Sequence, residues 1–239
     1  MTWRFPALLV FVAVCCAAQF APAPQADTPE EFNAYLAVLY AATPSATVAA
    51  AEAFLREWPR SALRGHVYER EFEAYRQLAD SPKAIQAGEN ALAAAPDNVV
   101  MLANLSVVLA NATADPKRLA QAEECARKAI ELSESLRIPK FISPAEWAQT
   151  QARVKSQAHA ALGLTANQRG DSAGAIREFE SAVAVAPEPD ASQLYRLGLL
   201  YRSAGNLAAA REKFRQAAAL SDMRIRELAN RELRATSSH

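Results

Sequence analysis

Three histidines, His66, His159 and His239, and three cysteines, Cys15, Cys16 and Cys125, are the side chains best suited to ligate a metal, move a proton or attack an electrophile. Their spacing does not bring them together. Neither an HExxH helix nor a CxxC pair occurs beyond residue 18, and GxGxxG and phosphate-loop sequences are missing, so no metal or nucleotide cofactor is expected. The carboxylate pairs Glu30-Glu31 and Glu123-Glu124 have the chemistry of a general acid and base, but adjacent helical positions point about 100° apart and form no converged dyad. Ser192 and Ser203 lack identifiable His and Asp partners. His159 is expected to be a packed core residue, and Cys125 a small apolar side chain inside an alanine-rich helix. No catalytic residue is assigned, and the chain is not expected to be an enzyme.

The elements around these residues are helices. Half of the 239 residues are hydrophobic and only 7 are glycine, which suits a sizeable helical core and not a turn-rich β protein. Alanine recurs in runs such as Ala49-Ala50-Ala51 and Ala93-Ala94-Ala95, where it favours helix and lets helices approach closely. Lys plus Arg equals Asp plus Glu at 26 each, so no net field draws the protein to nucleic acid or to an anionic membrane. The cluster Arg224, Arg226, Arg231 and Arg234 alternates with Glu227 and Glu232 and reads as a solvated helix face.

The first residues differ from the rest. Arg4 precedes an uncharged apolar stretch, Ala7 to Ala18, which ends in the small residues Cys16-Ala17-Ala18. This pattern predicts a cleaved export signal over 1–18 and a flexible linker over 19–27, leaving no transmembrane helix and a periplasmic or extracellular protein. Cys15 and Cys16 offer lipid-attachment positions, but the β-branched Val14 and Val12 before them fit such a site poorly.

Sliding the C-terminal part against itself reveals a repeat. At an offset of 35, Leu162-Gly163 falls on Leu197-Gly198, Gly170 on Gly205, Ala175 on Ala210, Phe179 on Phe214 and Ala182 on Ala217. Each unit reads as a helix with Leu-Gly at its centre, a turn at glycine, and a second helix with Ala, Phe and Ala on one face. The glycine allows close approach and the phenylalanine fills the wedge between the arms.

These residues, together with Tyr201 and Pro187, resemble the tetratricopeptide repeat, whose period is 34 residues. One repeat covers 156–189, with Ala166 at an aromatic position; another covers 190–222, with Asp222 at the proline position. Weaker hairpins are expected over 62–96, through Ala84, Gly88, Ala91 and Pro96, and over 97–135, through Ala122, Ala126 and Ala129. A degenerate hairpin is expected over 28–61, where Phe54 to Ser61 resembles hairpin endings of cell-envelope tetratricopeptide proteins. Residues 136–155 form an insertion and helix extension that restarts in capping-box order at Ser143-Pro144-Ala145-Glu146. Residues 223–239 read as a capping helix and tail, with Met223, Leu228 and Leu233 inward.

The resemblance implies an all-α, right-handed superhelical stack of hairpins whose first helices line a concave face. Asn104, Asn167, Tyr195, Leu199 and Arg202 then fall on the inner side and would contact a protein or peptide partner. Asn104 and Arg196 are fragments of the two-carboxylate clamp some tetratricopeptide domains carry, but Ala160 and Ala161 leave it incomplete. The expected function is an exported scaffold or adaptor. The alternative is a structural subunit of an envelope assembly, to be judged by whether Phe141, Ile142 and Trp147 form an exposed apolar patch.

Overall fold

The structure, a computed structural model, describes residues 25–112, 114–135, 138 and 142–237. The export signal, most of the linker and Phe141 therefore lie outside the described residues. Eleven helices are present among those described: α1 (Pro29–Leu39), α2 (Pro44–Glu57), α3 (Arg64–Gln77), α4 (Ser81–Ala94), α5 (Val99–Ala112), α6 (Pro116–Ser135), α7 (Pro144–Gln168), α8 (Ser172–Val185), α9 (Ala191–Ser203), α10 (Leu207–Ala219) and α11 (Met223–Ser237). Consecutive pairs form five hairpins from α1/α2 to α9/α10, each leaning on the next, and α11 closes the C-terminal end against α10 and α9. The result is the all-α stack of paired helices that the repeat implies.

Sequence chemistry sets the turns. In three of them a residue in the left-handed region is followed by Asp or Asn: Ala79-Asp80 (φ 58°), Gly170-Asp171 (φ 82°) and Gly205-Asn206 (φ 79°). The N–H of the second residue reaches back to the preceding helix at Tyr75, Ala166 and Tyr201 in turn, 2.9 to 3.0 Å from each carbonyl. Its side chain then caps the next helix by accepting the N–H of Lys83, Gly174 or Ala209. The hairpin of α3/α4 thus uses the same turn as α7/α8 and α9/α10, with alanine where the others have glycine.

Packing follows a common register as well. Gly163 lies so close to Phe179 that an added Cβ would stand 2.7 Å from its ring, and Gly198 has the same relation to Phe214 at 2.6 Å. In α3/α4 the pair is exchanged: Phe72 sits in the first helix and Gly88 in the second, and a Cβ on Gly88 would stand 3.0 Å from the Phe72 ring. Both members are shifted by the same 91 positions from Gly163 and Phe179. The second helices carry a seam of wholly buried alanines, among them Ala84, Ala122, Ala126, Ala175, Ala182, Ala210 and Ala217.

The insertion is largely helix. From Pro144 on it lengthens α7 at its start, and this extension is held against the end of α6 through Lys155 and Glu134 (2.7 Å) and through the Gln151 amide, which donates to the Ser133 carbonyl. Ser143 and Glu146 form the capping box that starts α7, and Trp147 packs into the main core. That core runs from Phe72 to Leu200; smaller ones lie at the ends, around Phe54 and around Phe214. Two expectations are corrected. Met223 is 71% exposed, because the inward stripe of α11 is Ile225, Ala229, Glu232 and Leu233, and a residue two positions before Ile225 lies about 200° away around the helix. His159 is not enclosed in the core: its Nδ1 lies 2.8 Å from the Glu178 carboxylate at a partly exposed site.

Candidate functional site

The 25-residue α7 provides the floor of a continuous trough. Gln149, Arg153, Gln157, Ala160, Leu164 and Asn167 recur every three or four residues and so share one helix face. From Gln149 to Asn167 this face is about 27 Å long at the rise of an α-helix. Asn104, Val107 and Asn111 of α5 form one wall, and Ser192, Arg196, Leu199 and Arg202 of α9 form the other. Three clefts of about 300, 280 and 260 Å³ follow one another along it. Gln157, Asp190 and Gln193 belong to both the first and the second, and Leu164, Phe179 and Arg196 to both the second and the third.

The polar groups of the trough are held by defined partners. Gln193 and Ser156 exchange hydrogen bonds at 3.0 and 3.2 Å beneath its upper part. Arg202 pairs with Glu232 of α11, and Arg76 with Glu73 at 3.0 Å. Arg196 donates from Nη2 to the Asn111 Oδ1 at 2.9 Å, so a bond joins α9 to α5 across α7. Burial lowers the Arg196 pKa from its ordinary value, and the charge of Asp190 opposes that shift.

Of the residues read from the sequence, Asn104, Asn167, Leu199 and Arg202 line the trough. Tyr195 does not join them: its ring packs on Phe214 at 5.8 Å, part of the core beneath α9. Ala160 lies on the floor, whereas Ala161 is fully buried in the interior, one position around the helix. Sequence reasoning missed Asn111 and Gln157 and considered Arg196 only as part of a clamp. Spacing from known members finds two of them, Asn111 seven residues after Asn104 and Arg196 three before Leu199.

A separate cleft outside the trough, of about 250 Å³ between α6, α7 and α8, differs in character. Glu123 there is occupied by Arg127 (2.8 Å) and Arg169 (2.6 Å), hydrogen bonds that hold its carboxyl below the usual range. Cys125 is buried, and desolvation with the nearby Glu124 and Glu89 charges pushes its thiol up to about 11, far from the depressed value a reactive thiol needs. Among the described residues no cluster of His, Cys, Asp and Glu could hold a metal ion, and no helix is long and apolar enough to cross a membrane.

Residues 193–222 match the family model described as tetratricopeptide repeat. The stack as a whole superposes on a thermophilic tetratricopeptide protein of Thermus thermophilus, TTC0263, with a TM-score of 0.58 over 85% of this chain and 98% of that one at 21% identity. The chain has the tetratricopeptide-repeat fold. MamA from Desulfovibrio magneticus RS-1 is similar to it, with a TM-score of 0.53 at 16% identity over 82% of this chain and 97% of that chain. So is YrrB, described as a tetratricopeptide protein with an unusual peptide-binding site, with a TM-score of 0.53 at 19% identity over 86% and 92%. No curated protein matches the sequence. The trough of this tetratricopeptide stack is the face lined by the first helices of its second to fifth hairpins, α3, α5, α7 and α9.

Proposed function

We propose that the protein is an exported, non-catalytic scaffold or adaptor that holds a segment of another protein in the trough along α7. The observation that carries this reading is the trough itself. It is long enough for an extended segment, lined by amides, arginines and a few apolar side chains, and built on rigid helices. The peptide-binding site described for YrrB, of the same fold, supports it. Export rests on Arg4, the apolar run Ala7 to Ala18 and its small-residue end. Burial of Trp147 argues against a large apolar docking patch on the insertion, although Ile142 is 37% exposed.

Photo-crosslinking tests the reading. A photoreactive amino acid at Asn104 or Leu199, in the trough, is expected to capture one discrete partner in the native envelope, whereas the same group at Arg215, on the exposed side of α10, is not. Equal capture from all three positions, or capture from Arg215 alone, overturns the assignment.

A further inference from the structure

The two ends of the stack are finished differently. At the C-terminal end α11 turns Arg224, Arg226, Glu227 and Arg231 to solvent, the polar outer face that the last unit of a repeat array needs. The first hairpin has no such finish. From Phe32 to Ala51, through most of α1 and half of α2, no Asp, Glu, Lys, Arg or His occurs, in a chain of which 22% is charged. Phe32 is 49% exposed and Tyr40 79% exposed. Beside Phe32 lies a cleft of about 570 Å³ walled by Tyr35, Pro29 and Leu63. Its shape is set by the protein itself. Tyr35 stands edge-on to Phe54 at 6.3 Å, and the rim is held by the Asp27 N–H, which donates to Glu31 Oε2 (2.6 Å), and the Glu31 N–H, which donates to Thr28 Oγ1 (3.1 Å). Asp27 also lines the cleft but is exposed, so its carboxylate stays in water.

We propose that two copies of the protein dock head to head through their N-terminal ends, the Phe32 ring of each entering the cleft of the other beside Tyr35 and Leu63. A two-fold contact requires one patch that complements itself. This patch carries a projecting ring and a recess side by side, and its run from Phe32 to Ala51 buries no unpaired charge when it meets its own copy. A head-to-tail contact would instead set Phe32 against the arginines of α11. An anionic membrane surface suits the patch less, because no Lys or Arg occurs from Pro29 to Leu55. Two short helices offer an interface at the low end of the stable range, so dissociation in the micromolar range is expected. The contact is independent of what the trough holds. Since the trough is lined by α3, α5, α7 and α9, it stays open in both copies, and the pair can grip a partner that offers two segments more tightly than either copy alone.

Sedimentation equilibrium of the protein without residues 1–18, from about 1 to 100 μM, tests this and is expected to show a monomer–dimer equilibrium within that range. Phe32→Ala, which removes the ring, is expected to weaken it about tenfold, and Phe32→Glu, which also adds a charge, by more, both at unchanged helix content by circular dichroism. Met223→Glu, at the opposite end and 71% exposed, is expected to leave it unchanged. A protein that stays monomeric throughout, a dimer that survives both changes at Phe32, or one that Met223→Glu disrupts overturns the proposal. So does a monomer that dimerises only when residues 19–24 are removed as well, which would assign the cleft to the chain's own N-terminal segment.

Discussion

The hairpins α3/α4 and α7/α8 have the same backbone plan and nearly opposite interiors. At matched positions the first has Glu71, Phe72, Ala79 and Gly88, and the second has Leu162, Gly163, Gly170 and Phe179. The large ring and the bare backbone have traded helices, so the space between the arms is filled either way. A hairpin of this kind is defined by the sum of two facing volumes and not by which helix carries the bulk. The left-handed turn has likewise persisted without the residue best suited to it.

Exchange of the wedge gives the largest expected effect. Gly88→Phe places a second ring where Phe72 and Leu105 already lie and is expected to cost about 3 kcal/mol or more. Phe72→Gly alone is expected to cost a similar amount through a cavity, while the double exchange recovers most of both losses. Urea denaturation of the four proteins measures this coupling, and additive losses would show that the two hairpins are not equivalent.

A smaller effect lies at Glu71, whose counterpart is the buried Leu162. Glu71 is 8% exposed, and desolvation, with the nearby Glu52 charge and against that of Lys83, raises its carboxyl to about 7. A raised carboxyl pKa means that the folded state holds the proton more tightly than the unfolded chain. The contribution to stability is therefore full below about 4.5 and is lost as pH rises through about 7. Glu71→Gln is expected to stabilise the protein by about 2 kcal/mol at about pH 8 and to have little effect at about pH 4.5. Thermal melts across that range would show an unchanged pH dependence if the burial of Glu71 were harmless.

The smallest effect belongs to the turn. Ala79→Gly relieves a left-handed alanine (φ 58°) and is expected to stabilise α3/α4 by about 1 kcal/mol. Gly170→Ala is expected to cost α7/α8 about as much, and opposite shifts in denaturation midpoint check the pair.

How much of this was legible follows from the same comparison. Gly163-Phe179 and Gly198-Phe214 preserve residue identity, so sliding the sequence found them. Phe72-Gly88 preserves only volume and spacing: Gly88 was recognised with Ala84, Ala91 and Pro96 on the second helix, but a search by residue type passes over Phe72, the ring that faces it from the first. The capping box at Ser143 was readable because it is local. The trough was readable where residues lie on the inner side of a recognised helix, as Asn104 and Leu199 do. Tyr195 was misplaced because a stripe recurring every three or four residues on α9 borders both the trough and the core around Phe214. The bond between Arg196 and Asn111 joins residues 85 apart and depends on how three hairpins stack, which no local pattern encodes.

The alanine seam divides the labour of assembly. A methyl group has no rotamer to surrender when two helices meet, so Ala84, Ala126, Ala175 and their companions bring the backbones together with little loss of side-chain freedom. Such a smooth surface cannot by itself choose one alignment over a neighbouring one. That choice falls to the few aromatic rings, Phe72, Phe179 and Phe214, each a key that turns in a single lock, and in α3/α4, α7/α8 and α9/α10 one such key fixes the alignment of what the alanines hold.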